Sequence, residues 1–267
     1  MKTSLKAKMA ANEPVMGTFV FLPSADVVEI LAIAGFDFVI IDLEHSPTNS
    51  ETVLHMVRAA ELHGMAPLIR VRENSEKLIL QALEMGAEGI VIPFVRSADD
   101  VSRAVRSIRY APEGARGTCT VSRSSKYGTL RRSFLEHTQR TNDRIAIIAL
   151  IEDMEGINAI QEILSCDPGV DAVLTGRTDL AASMGQMGQK NNAEVIAAAM
   201  RIIQAASRNS RPVHAGTGVA VGAPPDESAK WLDAGCRFLT YGTDIDLLYS
   251  AATQAKQTFN AAIKLSV

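Results

Sequence analysis

Residues 35–48, with the sequence GFDFVIIDLEHSPT, contain the unit from which the fold can be deduced. An apolar run at residues 38–41 is followed directly by residues 42–46, DLEHS, four of which are polar. Residues 50–64 then show helical spacing and end in a glycine, a residue that commonly follows a helix. A short apolar strand, polar residues at its end and a helix make one β–α unit.

The same unit repeats along the chain, which predicts the fold class. The cores of the apolar runs are nearly continuous, as is typical of parallel strands buried on both faces. Eight such units without a break in composition predict a single α/β domain over residues 1–267, a (β/α)8 (TIM) barrel with an additional C-terminal helix. A doubly wound open sheet is the alternative, because alternation alone does not fix closure. The predicted strands are 15–22, 36–42, 66–71, 89–95, 144–152, 171–176, 212–217 and 237–243.

Three segments depart from this repeat. Residues 110–143 form a long insert rich in Arg, Ser and Gly, with a short helix predicted at 129–140. Residues 184–192 form a polar, Gly-containing loop, and long loops of this kind are usually functional or interfacial. Residues 246–265 predict a final helix with an apolar stripe, either an ordinary barrel helix or one that packs on a neighbouring subunit.

Composition and charge exclude several classes of protein. The 267 residues are 47% hydrophobic, which excludes a disordered chain, and the net charge of −3 gives no basic surplus for nucleic acid or an anionic membrane. No apolar run approaches the ~20 residues of a membrane helix, and no secretory signal is expected. Cys119, Cys166 and Cys236 are odd in number and widely spaced, so we expect free thiols and a cytoplasmic protein.

Polar residues at four strand ends are the candidates for chemistry, because barrel active sites lie at the C-terminal ends of the strands. Asp42 and His45 follow the second strand, Arg70 ends the third, Glu152 ends the fifth and Asp179 follows the sixth. A guanidinium is costly to bury unpaired, so the arginine calls for an anionic ligand or a carboxylate partner. The carboxylate three residues before the histidine suits a general base.

Two of these acids have open interpretations. Glu152 either pairs with an arginine or binds a metal. Asp179 either binds a metal or caps a helix that starts at Leu180, and spacing slightly favours the cap. Two hard carboxylates without a Cys or His cluster favour Mg²⁺ or Mn²⁺ over structural zinc.

Imine chemistry and dinucleotide binding have little support in the sequence. No lysine ends a predicted strand, so imine chemistry is not expected. Residues 216–222, GTGVAVG, match a dinucleotide fingerprint only loosely and are interpreted as a Gly-rich loop whose backbone N–H groups approach an anion.

Several stretches run in order over nearly the whole chain and are specific as a set. They are GFDFVIIDLEHSPT (35–48), PLIRV (67–71), MGAEGIVIPFVRSADD (85–100), RYAPEGARG (109–117), GVDAVLTGRTDLAASMG (169–185) and YGTDIDLL (241–248), together with the I-E pair of the fifth strand. Taken together, these stretches resemble the metal-dependent (class II) pyruvate aldolases of the HpcH/HpaI family.

The resemblance implies a carbon–carbon lyase that reversibly cleaves a 4-hydroxy-2-oxo acid, of the 2-keto-3-deoxy sugar acid type, into pyruvate and an aldehyde. Glu152 and Asp179 would hold a divalent cation, Mg²⁺ or Mn²⁺ with Co²⁺ as a further candidate. Arg70 would bind the keto or enolate oxygen, and His45 with Asp42 would form the acid/base dyad.

Further residues are implied around this centre. Gly176, Thr178 and Asp179 would surround the pyruvate carboxylate at a helix N-terminus. Glu44 would orient waters on the metal. Glu84 would reach the site of a neighbouring subunit in a homo-oligomer, a hexamer or a trimer.

The sequence departs from the family at the side of the site that faces the aldehyde. Arg177 stands where the family usually has Pro, and Leu150 where many members have Gln. The arginine could bind a substrate carboxylate or pair with an acid. Arg116, Arg123 and Lys126 of the insert could meet an acidic aldehyde, but a solvated or interfacial face is the preferred interpretation.

Two other functions stay open at this stage. An oxaloacetate decarboxylase-like or acyl-CoA lyase-like enzyme would use the same metal–enolate centre. A binding or scaffold protein is disfavoured, because it has no need of all five residues at the strand ends.

Overall fold

Eight parallel strands form a closed barrel in which each strand pairs with the next and the last pairs with the first. The computed structural model describes residues 4–265. The barrel confirms the predicted fold and excludes the open sheet, and every predicted strand occurs, with ends that differ by up to three residues. The strands are β1 Val15–Val20, β2 Phe38–Asp42, β3 Ala66–Arg70, β4 Gly89–Ile92, β5 Ala146–Ile151, β6 Ala172–Thr175, β7 His214–Val219 and β8 Cys236–Thr243.

The helices that follow the strands lie on the outside of the barrel. Several begin at a side chain that accepts a backbone N–H three residues on, as Ser24, Asn49 and Ser97 do. In the described range, no helix combines the length and apolar character needed to cross a membrane. The helices are α1 Leu5–Ala10, α2 Ala25–Ile33, α3 Ser50–Leu62, α4 Glu76–Glu84, α5 Ala98–Ile108, α6 Phe134–Arg144, α7 Met154–Asn158, α8 Ile160–Ser165, α9 Arg177–Ser183, α10 Ala193–Ser207, α11 Pro225–Asp233 and α12 Asp244–Leu265.

The strands bury side chains on both faces, which explains their unbroken apolar runs. In β2, Phe38 and Ile40 point into the barrel, whereas Val39 and Ile41 belong to the layer between strands and helices. Inside, the Phe38 ring stacks on Phe238 with centroids 4.2 Å apart. This packed interior leaves only the C-terminal ends of the strands for a site.

Helix α1 closes the opposite, N-terminal end of the barrel. Leu5 and Met9 are buried within the interior cluster, and Lys8 Nζ lies 2.5 Å from Asp37 Oδ1. The sequence pattern does not predict this helix, because two apolar residues among six are too few to show a period.

The insert contains the predicted helix, but the predicted bounds of 129–140 are wrong. The chain first makes two 3₁₀ turns, Lys126–Gly128 and Arg131–Ser133, and α6 begins only at Phe134. Lys126 and Tyr127 have φ angles of 52° and 54°. Left-handed backbone at non-glycine residues interrupts a regular helix, so α6 begins after these turns.

Shortening a buried side chain of α1 should destabilise the barrel. Met9→Ala removes a buried side chain at the closed end, and we expect the free energy of unfolding to fall by about 2–4 kcal/mol. Urea unfolding followed by circular dichroism measures the difference. Ala10→Ser, at an exposed position of the same helix, is the control and should stay close to wild type. An unchanged midpoint for Met9→Ala would show that α1 does not stabilise the barrel.

Candidate active site

The C-terminal ends of the strands surround a cavity of about 620 Å³. Residues from seven of the eight strand ends, or from the segments that follow them, line this cavity. Among the predicted site residues, the lining includes His45, Arg70, Glu152, Gly176, Arg177, Thr178 and Asp179. The structure therefore brings together residues that are far apart in the sequence.

Asp42 organises the loop that follows β2. Its carboxylate is fully buried and accepts the backbone N–H groups of Glu44 and His45, each at 3.0 Å. An Asp that accepts N–H groups two and three residues ahead fixes a tight turn. The carboxylate thus lies against the main chain of the histidine, whereas Glu44 Oε2 lies 3.9 Å from the imidazole Nε2. The acid/base dyad of Asp42 and His45 stays a prediction.

Arg70 is held rigidly at the end of β3. Its Nε donates to Asp42 Oδ1 at 2.7 Å, and Nη1 lies 3.2 Å from Glu44 Oε2. The guanidinium carbon is 5.0 Å from the centre of the Phe19 ring, within the range of a cation–π contact. Only 6% of the residue is exposed. Of the two predicted partners for this arginine, the structure shows the carboxylates, and the side chain still lines the cavity.

Glu152 is a buried acid with a backbone partner. Its Oε1 accepts the N–H of Phe94 at 2.9 Å, so the predicted pairing with an arginine is not what holds it. Burial, together with the nearby charges of Glu44 and Asp179, raises the pKa of Glu152 to about 8. Gly176 makes room for this side chain, because a Cβ there would lie 2.7 Å from Glu152 Oε2.

Asp179 does not cap a helix. Helix α9 begins at Arg177 with Gly176 as its N-cap residue, so Asp179 is the third residue of the helix. The capping interpretation is therefore wrong, because the helix starts three residues earlier than Leu180. Asp179 is half-buried and lines the cavity beside the exposed Thr178. The first N–H groups of a helix have no partner within it, which suits the predicted carboxylate contact.

The acids of the cavity fit a divalent cation. Burial also raises the pKa of Glu44, as do the charges of Asp42 and Asp179, and Glu44 Oε2 is buried with an ion-pair contact to Arg70 Nη1 at 3.2 Å. A nearby cation would stabilise the charged forms of Glu44 and Glu152. Within residues 4–265 no group of three or more His, Cys, Asp or Glu side chains is arranged to hold a metal by itself. Glu152 and Asp179 would hold an ion that takes its other ligands from substrate and water.

Arg177 joins three segments at one wall of the cavity. Its Nη1 donates to Asn191 Oδ1 at 3.0 Å and its Nη2 to the carbonyl oxygen of Gly218 at 2.6 Å. The guanidinium carbon lies 5.2 Å from the centre of the Trp231 ring. Burial lowers the pKa of this arginine. It therefore ties α9 to the loop at residues 184–192 and to β7.

The basic residues of the insert lie elsewhere. Arg116 is buried, with its Nη2 3.2 Å from Glu84 Oε1 and its guanidinium carbon 4.4 Å from the centre of the Tyr110 ring. Arg123 pairs with Glu61. The predicted solvated face is wrong for Arg116, because its carboxylate partner lies within the fold. Lys126 is exposed, and the role of Glu84 at a neighbouring subunit stays a prediction.

The structure also contradicts the interpretation of residues 216–222 as a Gly-rich loop, because the segment begins within a strand. Gly216 and Gly218 lie within β7, and only the residues after Val219 leave the strand. At Gly216 a Cβ would lie 2.5 Å from the backbone oxygen of Phe238, so this glycine serves strand packing.

Sequence reasoning missed several residues of the cavity wall. Phe19, Lys190, Asp246 and Ser250 line it, and Phe94, whose amide binds Glu152, has a φ of 47°. None of these residues carries a pattern in the sequence that marks it.

Comparison with known proteins places these features in context. The profile of the HpcH/HpaI aldolase/citrate lyase family matches residues 16–251. A hydroxypyruvate/pyruvate aldolase of Paraburkholderia phytofirmans is 36% identical over 260 residues, covering 95% of this chain and 96% of the relative. A 5-keto-4-deoxy-D-glucarate aldolase of an Enterobacter species is 32% identical, with 95% of each chain covered.

Solved structures give the same picture. An HpcH/HpaI aldolase/citrate lyase family protein from Burkholderia cenocepacia superposes with a TM-score of 0.87 at 31% identity, covering 96% of this chain and 98% of that one. The citrate synthase SbnG superposes with a TM-score of 0.86 at 29% identity, covering 98% and 99%.

Filling the space at Gly176 should disturb the acid behind it. In Gly176→Ala the new Cβ would overlap Glu152, so we expect the carboxylate to shift and divalent-cation binding to weaken at least about tenfold. Titration with Mn²⁺, followed by electron paramagnetic resonance of the free ion, measures this. Gly218→Ala is the control, because its Cβ meets Thr240 Oγ1 at an ordinary 3.5 Å. Equal Mn²⁺ affinity in both variants would contradict the assignment of Glu152.

Proposed function

The chain belongs to the HpcH/HpaI aldolase/citrate lyase family, and we propose that it reversibly cleaves a 4-hydroxy-2-oxo acid into pyruvate and an aldehyde. Its relatives named as keto-acid aldolases support a carbon–carbon lyase, as the sequence predicted. The observation that carries the proposal is one cavity in which a rigidly held Arg70 faces the acids Glu152 and Asp179, with His45 at the same mouth.

Glu152 and Asp179 are the residues that would hold a divalent cation, Mg²⁺, Mn²⁺ or Co²⁺. The family generally depends on such a metal, which supports this assignment. When bound, the cation supplies positive charge that polarises the 2-oxo acid and stabilises its enolate. Glu44, whose buried Oε2 contacts Arg70 Nη1 at 3.2 Å, would accept a hydrogen bond from a water at the cation.

Arg70 would bind the keto oxygen of the substrate. As the bond between carbons 3 and 4 breaks, its electron pair moves toward this oxygen, and the negative charge grows beside the guanidinium. Asp42 and Glu44 fix the plane of the guanidinium before the reaction starts, so little reorganisation is needed. The helix N-terminus at Gly176, Thr178 and Asp179 would receive the pyruvate carboxylate.

His45 would move the proton of the 4-hydroxyl group. Its ring is exposed at the mouth, and Glu44 Oε2 lies 3.9 Å from Nε2. In cleavage the imidazole takes the hydroxyl proton as the aldehyde forms, and in addition it returns the proton to the new alkoxide. Asp42 would act through the backbone of His45 by holding the turn.

One structural neighbour supports a second candidate activity. The structure named as a citrate synthase shares this fold at 29% identity, and an acyl-CoA lyase-like or oxaloacetate decarboxylase-like reaction would use the same enolate centre. Turnover of acetyl-CoA with oxaloacetate, or release of carbon dioxide from oxaloacetate alone, would identify these reactions.

The wider setting belongs to the same proposal. We propose a homo-oligomer acting on small oxo acids and aldehydes in the cytoplasm, with no nucleic acid or membrane partner. Free thiols at Cys119, Cys166 and Cys236 support a reducing compartment.

Exchange of the pyruvate methyl protons tests enolate formation without knowledge of the aldehyde. In D₂O with Mg²⁺ or Mn²⁺ we expect the methyl signal in the proton spectrum to decay, and a chelator to stop the decay. Arg70→Ala should slow the exchange about 100-fold or more, because it removes the charge beside the enolate oxygen. Arg72→Ala, an exposed arginine two residues on, is the control and should keep the wild-type rate. Absence of exchange with any divalent cation would refute the proposal.

Arg177 should influence the aldehyde more than pyruvate. In Arg177→Gln the contacts to Asn191 and Gly218 are weakened, so the wall at residues 184–192 loosens and a buried positive charge is lost. We expect the KM for an aldehyde bearing a carboxylate to rise about tenfold, and that for an uncharged aldehyde to change much less. Steady-state addition kinetics with one aldehyde of each kind measures both, and equal effects would exclude a charge contribution from Arg177.

A further inference from the structure

A second cavity lies near the N-terminal ends of β4 and β5, away from the candidate active site. Its volume is about 260 Å³, and it shares no lining residue with the cavity at the C-terminal ends of the strands. Ala87 and Ile145, just before β4 and β5, line it on the barrel side. Ser124 and His137 line it on the side of the insert at residues 110–143. The insert therefore encloses a separate space against the barrel.

The lining of this second cavity is basic. Four arginines, one lysine and one histidine contribute to it, and Glu61 is the only acid in the lining that the structure describes. Each arginine already has a carboxylate partner, whereas Lys126 is exposed and forms no ion pair within residues 4–265. One positive charge at this cavity is therefore left unbalanced. The four pairs are Arg116–Glu84, Arg123–Glu61, Arg140–Glu136 and Arg144–Glu88.

Arg116 brings hydrogen-bond donors to this cavity that the fold does not use. The residue is only 4% exposed, and its Nη2 donates to Glu84 Oε1 at 3.2 Å. Its Nε and Nη1 are buried and have no hydrogen-bond acceptor. The Tyr110 ring lies over the face of the guanidinium, 4.4 Å from its carbon, and so leaves these in-plane N–H groups unpaired. Buried donors of this kind are costly, and they indicate an acceptor that the chain itself does not supply.

His137 adds a further unpaired group at the same cavity. Its Nε2 is buried without a hydrogen-bond partner. Burial, together with the charges of Arg116 and Lys126, lowers the pKa of His137. The ring is therefore neutral near pH 7 and can donate from Nε2 in one of its tautomers. The imidazole thus lies in the field of the same two cations whose donors and charge lack a counterpart.

We propose that the second cavity binds a small oxyanion. Its oxygens accept hydrogen bonds from the guanidinium of Arg116 and the imidazole of His137, and its charge balances that of Lys126. A water molecule accepts the same hydrogen bonds but leaves the charge unbalanced. Inorganic phosphate and the carboxylate of a small acid share the required chemistry.

The oxyanion joins two parts of the insert that are distant in sequence. Arg116 lies between α5 and the first 3₁₀ turn, whereas His137 lies in α6. An ion that binds the folded chain and not the unfolded chain stabilises the folded form. The site thus fastens the start of the insert to α6, and it does not depend on the catalytic activity.

Isothermal titration calorimetry with inorganic phosphate, and separately with malonate, tests the site. The wild-type chain should bind at least one of these ions, and the one that binds identifies the class of oxyanion. Arg116→Lys keeps a charge beside Glu84 but removes the planar donors, so the affinity should fall at least about tenfold. Lys126→Gln should weaken binding about threefold, and Lys77→Gln, an exposed lysine of α4 outside the lining, is the control.

The outcomes separate this cavity from the candidate active site. Arg70→Ala at the strand ends should leave the affinity unchanged. No binding of either ion, equal affinity in Arg116→Lys and wild type, or binding that is lost only in Arg70→Ala would overturn the proposal. Circular dichroism of each variant shows whether it has kept its fold.

Hydrogen exchange and a rescue at His137 test how the ion is held. The bound ion should slow amide exchange in residues 116–126 and in α6 of the wild type, but not in Arg116→Lys. His137→Ala should lose affinity, and His137→Gln should recover most of it, because the amide again offers a donor. Exchange that the ion leaves unchanged, or equal affinity in both His137 variants and the wild type, would show that the ion does not join these segments.

Discussion

The buried pair of Asp42 and Arg70 is the interaction on which the site depends. A buried ion pair gains little stability by itself, because both ions lose their water. Here the carboxylate also accepts the backbone N–H groups of Glu44 and His45, which offsets that loss and shapes the loop after β2. One side chain thus sets the direction of the guanidinium from β3 and the start of the segment that carries the candidate base.

The acids near this pair are costly to ionise, because they are buried and close to one another. Glu152 is 2% exposed, and its burial raises the pKa to about 8, while Glu44 and Asp179 add negative charge nearby. A single backbone N–H from Phe94 opposes this rise most directly. Such an arrangement destabilises the charged carboxylates when no cation is bound, but it favours cation binding, because a divalent ion lowers the energy of all three carboxylates at once. The cavity therefore favours a bound metal over a structural network.

The strand ends could be predicted because their pattern is local, whereas much else depends on distant contacts. Apolar runs that end in Asp42, Arg70 or Glu152 are visible in the sequence, and barrel closure then places them together. Nothing local shows that α9 starts at Arg177, which moved Asp179 out of the capping position. Nor does the sequence show that Arg116 finds Glu84, 32 residues away, and becomes buried. The family resemblance supplied the metal assignment, which spacing had left open.

The end of β8 holds the first turns of α12 at the cavity. Asp244 accepts the backbone N–H groups of Phe21 and Leu22, which anchors the first turn of α12 beside the loop after β1. The next turns contribute Asp246 and Ser250 to the cavity before the helix leaves the barrel. Because β8 ends at Thr243 and α12 begins at Asp244, with no residue between them, the first turns of the helix stay at the rim and become part of the cavity wall.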